Sequence, residues 1–169
     1  MKLDFRIEPL EKRHKREAFD CGEYSLNQFL KQYARQNMDI GLGKTFVAVL
    51  PEQTNVCGYY TLSSGSISFE IIPKKLPRYP VPTVHIGRLG VDKIMQGQRL
   101  GELLLIDALE RIVELSGQLG IYAVELYALT ESARQFYLKY AFVPLNDDKN
   151  HLYLPIETLK HSGLVSSHS

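Results

Sequence analysis

Six residues carry the clearest chemical signal in the sequence: Gln96, Gly97, Gln98, Arg99, Leu100 and Gly101, set between a β-rich run and a long leucine-rich stretch. Glycine permits positive φ and close approach of backbone to a ligand. The first turn of a helix leaves N–H groups without intrahelical acceptors, and a pyrophosphate would complete them. A glycine-bearing turn before a helix is also ordinary helix punctuation, so the pattern alone leaves both readings open. Arg99 adds a second clue. A cation at a helix N-terminus opposes the macrodipole by roughly 0.3–1 kcal/mol, a sign that bound phosphate reverses; the alternative is a side chain swung back over the surface. Glu102 suits the dipole and marks this as the first turn.

No serine or cysteine is set up with a histidine and an acid as an activated nucleophile. Cys21 and Cys57 form neither a C-x-x-C pair nor a disulfide framework and read as buried reduced thiols. No metal is expected. Lys and Arg number 20 against 19 Asp and Glu, which gives no general pull toward nucleic acid or membrane, so any such contact must come from a local patch. Two local runs qualify. Lys12 to Arg16 is either a solvated helix face or a phosphate-facing patch, and position does not choose between them; Lys74, Lys75 and Arg78 sit among four prolines between Pro73 and Pro82, in a stiff loop.

The elements that must position these residues follow from periodicity. Asp4 to Leu10 alternates as a strand. From Ser25 as cap, Leu26, Phe29, Leu30 and Tyr33 recur on one face of a helix ending near Asn37. Thr45 to Leu50 and Val56 to Ser63 read as a hairpin, and His85 to Val91 as a strand whose glycines suggest both a bulge and a close approach to the backbone. Arg99 to Ser116 is a helix buried on most of its circumference, with Asp107, Glu110, Arg111 and Glu114 as its polar stripe and Gly117 as its stop. Tyr122 to Ala128 is a strand, Thr130 to Tyr140 a helix capped by Thr130 or Ser132, and Phe142–Leu145 with Leu152–Pro155 a closing hairpin. At 169 residues and 44% hydrophobic side chains, the chain suits one α+β domain over residues 1–160, with 161–169 as a disordered tail. No membrane segment or signal peptide is visible, and a cytoplasmic protein is expected.

Placed on those elements, Gln96, Arg99 and Gly101 resemble the acetyl-CoA motif of the GNAT acetyltransferase superfamily, [Gln/Arg]-x-x-[Gly/Ala]-x-[Gly/Ala], with Arg99 standing where glycine is usual. Phe136-Tyr137-Leu138-Lys139-Tyr140-Ala141-Phe142 looks like that superfamily's F-Y-x-x-x-G-F segment, with Ala141 in place of glycine. More narrowly, Phe19 to Leu159 is similar to the acetyltransferase toxins of bacterial toxin–antitoxin pairs, through Phe19-Asp20-Cys21-Gly22, Gly58-Tyr59-Tyr60-Thr61-Leu62, Pro77 to Pro82 and Gly87-Arg88-Leu89-Gly90-Val91-Asp92.

The resemblance implies a GNAT fold, a single mixed and mostly antiparallel sheet flanked by helices, with acetyl-CoA as co-substrate. It implies cofactor contacts at Leu89, Gly90 and Val91, at Gln96 through Gly101, and at Thr130, Ala133 and Phe136. Tyr137 is the implied general acid toward the departing sulfur, and Leu89 to Val91 would offer N–H groups to the acetyl oxygen. As base, Glu125, Glu131 and His85 are open, and water can serve. The implied acceptor is the α-amine of aminoacyl-tRNA, met by Lys74, Lys75, Arg78 and Arg88 together with the Lys12–Arg16 run. The implied partners are a ribbon-helix-helix antitoxin and a second copy of the chain. Two other functions share the same motifs: acetylation of a small amine or protein N-terminus, and an idle acetyl-CoA-binding module.

Overall fold

The computed structural model describes residues 3–165. Its strands are β1 (Arg6–Pro9), β2 (Lys44–Val49), β3 (Gly58–Ile67), β4 (Val81–Val91), β5 (Ala123–Tyr127), β6 (Val143–Pro144) and β7 (His151–Pro155). Its helices are α1 (Tyr24–Gln28), α2 (Ala34–Asp39), α3 (Leu100–Ser116), α4 (Glu131–Leu138) and α5 (Ile156–Lys160). The strands form one mixed sheet in the order β1-β2-β3-β4-β5-β7-β6. β1–β2, β2–β3, β5–β7 and β6–β7 are antiparallel, whereas β4 and β5 run parallel with His85 opposite Glu125 as the last pair of their register. This is the expected α+β fold, a mixed sheet with flanking helices.

The chain divides into two compact units, Met1–Ser63 with Gly87–Ala108, and Ser64–Ile86 with Leu109–Ser169. The first is built on Leu10, Phe19, Phe29, Leu30, Val47, Val49 and Tyr59. Gly58 is glycine for want of space: a Cβ there would lie 2.9 Å from Leu104 and 3.1 Å from Leu100, the leucines that α3 lays on β3. Asp107, on the polar stripe of α3, accepts a 2.5 Å hydrogen bond from the Tyr60 hydroxyl. The second unit is built on Ile67, Ile72, Val81, Ala123, Leu145 and Tyr153.

The helix expected from Ser25 departs most from its pattern. Glu23, not Ser25, stands at its N-cap, and a π turn over Phe29–Tyr33 separates α1 from α2. A π turn adds about one residue to its turn and so rotates the face that follows. Tyr33, expected on the apolar face, is therefore 47% exposed, while Ala34 is fully buried. Gly117 donates its N–H to the Glu114 carbonyl and ends α3 without the left-handed backbone of a glycine cap. Cys57 is buried as expected, but Cys21 is only half-buried; both are free thiols. α5 had no counterpart in the sequence reading. Of the expected tail, His161–Val165 continue from α5 as a turn with Val165 buried, and residues 166–169 lie outside the described residues. No helix among the described residues is long and apolar enough to cross a membrane.

Candidate active site

The loop before α3 is fixed by Asp92. One carboxylate oxygen accepts the Ile94 N–H at 3.0 Å and starts a 3-10 turn over Lys93–Met95; the other accepts the Asp20 N–H at 3.2 Å. Gly97 then takes φ +85°, with open space where a Cβ would stand, so glycine serves conformation here rather than room. Arg99 takes φ +62°. That left-handed backbone, which costs a non-glycine residue about 1–2 kcal/mol, turns the chain into α3 and leaves the first-turn N–H groups of Leu100, Gly101 and Glu102 without intrahelical acceptors. The Arg99 side chain is 78% exposed and lies 3.1 Å from Glu102. It is swung back along the helix, as one of the two sequence readings had it. Leu100 is buried and pins the turn.

On β4, Leu89 and Val91 are half-buried and Gly90 is buried. A Cβ on Gly90 would stand 3.4–3.6 Å from the Cys21 and Leu26 side chains, so that side of the glycine faces the packing of its own unit. The strand is continuous to Val91. The Arg88 guanidinium lies 3.5 Å over the Phe29 ring and is half-buried, which pushes its pKa down.

In the second unit, Thr130 is the N-cap of α4: its hydroxyl accepts the Ala133 N–H at 3.1 Å. Phe136 packs edge-on against Tyr137 at 5.2 Å, and Tyr137 packs against Phe142 at 5.6 Å. Tyr137 is 7% exposed, and burial pushes its phenol far above the usual range, so it is a neutral phenol and not a phenolate. After α4, Ala141 takes φ +72°. The two places where this chain lacks the superfamily's glycine, residues 99 and 141, are thus both left-handed.

The basic runs separate. Lys74, Lys75 and Arg78 are all exposed, beside Tyr79 at 62% exposure, an aromatic that the sequence reading did not single out. Lys74 also lines a groove of about 580 Å³ with Tyr122, Tyr153 and Lys160. Lys12–Arg16 is not a helix face. His14 is 3% exposed, its Nδ1 accepting the Glu11 N–H at 2.8 Å and its Nε2 facing Glu8 at 3.0 Å. Arg13 pairs with Glu8 and Glu11, and Arg16 donates to the Leu30 carbonyl, which leaves Lys12 and Lys15 as the exposed cations of the run whose side chains reach no such partner among the described residues.

Of the three acid–base candidates, Glu131 lies on the surface with Gln135 and Arg134. His85 and Glu125 meet: Nδ1 of His85 is 2.6 Å from Oε1 of Glu125. The other Glu125 oxygen is 2.5 Å from Nε2 of His151, whose Nδ1 is 2.9 Å from Asp147. Burial raises the Glu125 pKa, but the hydrogen bonds and charges of the two histidines outweigh it and hold the carboxyl below its ordinary value. The sequence reading missed His151, since a residue 26 positions from Glu125 comes beside it only through the β5–β7 register. Among the described residues no group of His, Cys, Asp and Glu has a metal-holding arrangement.

The comparisons converge. The sequence matches the Acetyltransferase (GNAT) domain family over residues 14–155. It is 36% identical over 140 residues to a tRNA-acetylating toxin of Mycobacterium tuberculosis (strain ATCC 25618 / H37Rv), covering 81% of this chain and 83% of that protein. Among solved structures, AtaT complexed with acetyl-methionyl-tRNAfMet matches with a TM-score of 0.88 and 29% identity, over 94% of this chain and 98% of that one. A tyrosine-to-phenylalanine variant of AtaT, bound to the C-terminus of the antitoxin AtaR and acetyl-CoA, matches with a TM-score of 0.81 and 28% identity, over 94% and 97%. With the left-handed turn into α3 and the aromatic segment of α4 both standing where the superfamily motifs put them, the chain belongs to the GNAT acetyltransferase family.

Proposed function

We propose that this chain is a toxin that transfers the acetyl group of acetyl-CoA to the α-amine of aminoacyl-tRNA and thereby blocks translation. The observation that carries the chemistry is the torsion pattern of the loop before α3. Gly97 and Arg99 both adopt positive φ at the entrance to α3, and the first-turn N–H groups of that helix lack intrahelical acceptors and suit a pyrophosphate. The acceptor is supported by the tRNA-acetylating relative and the tRNA-bound structural neighbour, and by the exposed cations Lys74, Lys75 and Arg78 beside an exposed tyrosine.

Gln96 to Gly101 hold the pyrophosphate through backbone N–H groups, with Thr130, Ala133 and Phe136 as further contacts from α4. Acetyl-CoA supplies an activated thioester, so the acceptor amine attacks it directly and no enzyme nucleophile is needed. Leu89 to Val91 present backbone N–H groups to the acetyl oxygen as its charge grows. Tyr137, kept neutral by burial, donates a hydrogen bond that strengthens as the sulfur departs. The same reading carries an antitoxin of ribbon-helix-helix type as inhibitor, a homodimer as working form, one domain over residues 1–160, and the cytoplasm as site of action.

The test is incubation with labelled acetyl-CoA and a pool of charged tRNAs. Label on one or more aminoacyl groups supports the reading. Label on a polyamine or peptide N-terminus, with none on tRNA, replaces it with the small-amine or protein alternative. Tyr137→Phe should keep acetyl-CoA affinity and lose about 100-fold in kcat; unchanged turnover removes Tyr137 from its role.

A further inference from the structure

Acetylating an ammonium releases two protons. One ends on the CoA sulfur, and the other must reach solvent. The second unit contains a line of groups suited to that transfer. His85, Glu125, His151 and Asp147 are joined end to end by contacts of 2.6, 2.5 and 2.9 Å. Their side-chain exposures are 31%, 7%, 4% and 34%, so the line is open at both ends and sealed in the middle. A surface ion-pair cluster would be wet throughout.

Hydrogen-bonding capacity fixes what each member can do. An ionised carboxylate only accepts, so His85 presents Nδ1–H to Glu125, and in the neutral ring the lone pair is then on Nε2. His151 faces carboxylate oxygens with both ring nitrogens. That bridge is satisfied by an imidazolium or by one carboxyl group carrying the shared proton, which means a proton can change place along it with little movement of heavy atoms. The Tyr127 ring stacks on His151 at 4.0 Å and 10°, holding its plane. β3 makes room beside the pair: a Cβ on Gly65 would meet the Thr83 hydroxyl at 2.9 Å and come within 3.9 Å of Glu125. The other titratable groups bearing on the line are the Tyr127 phenol, raised by burial and then by Asp147, Glu125 and Asp148, and Asp148 itself, whose carbonyl accepts the His151 N–H.

We propose that His85 is the base that deprotonates the acceptor amine, and that Glu125, His151 and Asp147 are positioning residues that hold its tautomer and pass the proton to solvent. The proposal rests on the acetyl-transfer reading above. The acceptor's N–H bond breaks as the Nε2–H bond of His85 forms; the freed pair forms the C–N bond as C–S breaks. The second amine proton goes to sulfur.

The test is kcat/KM against pH for wild type, His85→Gln, Glu125→Gln and His151→Gln, with labelled acetyl-CoA and a pool of charged tRNAs, free amino-acid amides and spermidine as acceptors in parallel. An α-amine titrates at about 7.7–8.0. His85→Gln should therefore lose on the order of 30-fold at pH 6.5, where the amine is mostly protonated, and the deficit should shrink to a few-fold at pH 9, where it needs no base. Glu125→Gln, which still accepts from His85 Nδ1, should lose about 10-fold, and His151→Gln less, both with the same pH trend and with melting temperatures that certify folding. A loss equal at all pH values assigns the line a purely structural role and overturns the proposal, as does full activity of His85→Gln. Wild-type label on amides or spermidine but not tRNA overturns the acceptor reading alone and leaves the pH series to judge the relay. No label on any acceptor overturns both.

Discussion

The two basic runs look alike in sequence and differ in the folded chain. Lys74, Lys75 and Arg78 ride on a proline-stiffened loop, where all three stay exposed. In the earlier run, Lys12 to Arg16, three members are tied to neighbours while Lys12 and Lys15 stay exposed: Glu8 lies on β1 opposite Val47 and reaches both Arg13 and His14, and the Leu30 carbonyl holds Arg16. A run of positive residues therefore reports a nucleic-acid surface only when the acceptors around it leave its charges free. Prolines, by withholding N–H groups and fixing φ, kept the second run from folding into anything that would use them.

The contrast can be broken first by removing the exposed run. Lys74→Ala, Lys75→Ala and Arg78→Ala together should lower tRNA acetylation by tens of fold at physiological salt, with the KM for acetyl-CoA unchanged. They should also flatten the log–log salt dependence by about two, at roughly 0.7 for each phosphate that is no longer neutralised. A salt series that the triple variant does not alter would assign tRNA binding elsewhere. The next effect is on stability. His14→Ala strands the Glu11 N–H in a partly buried place and leaves the Glu8 oxygen with Arg13 alone, and should destabilise by about 2 kcal/mol in urea titration with tRNA affinity retained.

The same pair predicts an acid limb. The hydrogen bond from His14, opposed by burial and aided by Arg13, holds Glu8 below its ordinary value of 4.5. The unfolded chain thus takes up this proton more readily than the folded one, so the contribution is complete above about pH 4.5 and fades as pH falls through the lowered folded value. Glu8→Gln should remove that part of the pH dependence, and a stability curve of unchanged slope below about pH 4.5 would contradict it. Smallest of all is Arg13→Ala: its side chain is 47% exposed, and neither melting temperature nor tRNA acetylation should move measurably.

What could be read in the sequence was local. The β2–β3 hairpin, the buried circumference of α3 and the Thr130 cap of α4 each follow from periodicity or from one side chain meeting a backbone group three residues on. What could not be read depended on register or on a change of helical phase. Tyr33 belongs to the apolar face of an ideal helix and leaves it because of one π turn. His85 and Glu125 were visible as possible bases, but 40 residues separate them, and only the parallel pairing of β4 with β5 makes them neighbours. His14 was a member of a charge run until burial and a backbone N–H made it a structural joint.

The left-handed turns at Arg99 and Ala141 carry a consequence for how such sites are recognised and altered. At both positions the loop imposes the torsion and the residue merely tolerates it. A search pattern that demands glycine there will pass over sequences like this one, while a pattern of backbone angles will keep them. For the same reason glycine is the natural replacement at either place: it relieves the crowding of a Cβ, and the relief exceeds the added freedom it gives the unfolded chain.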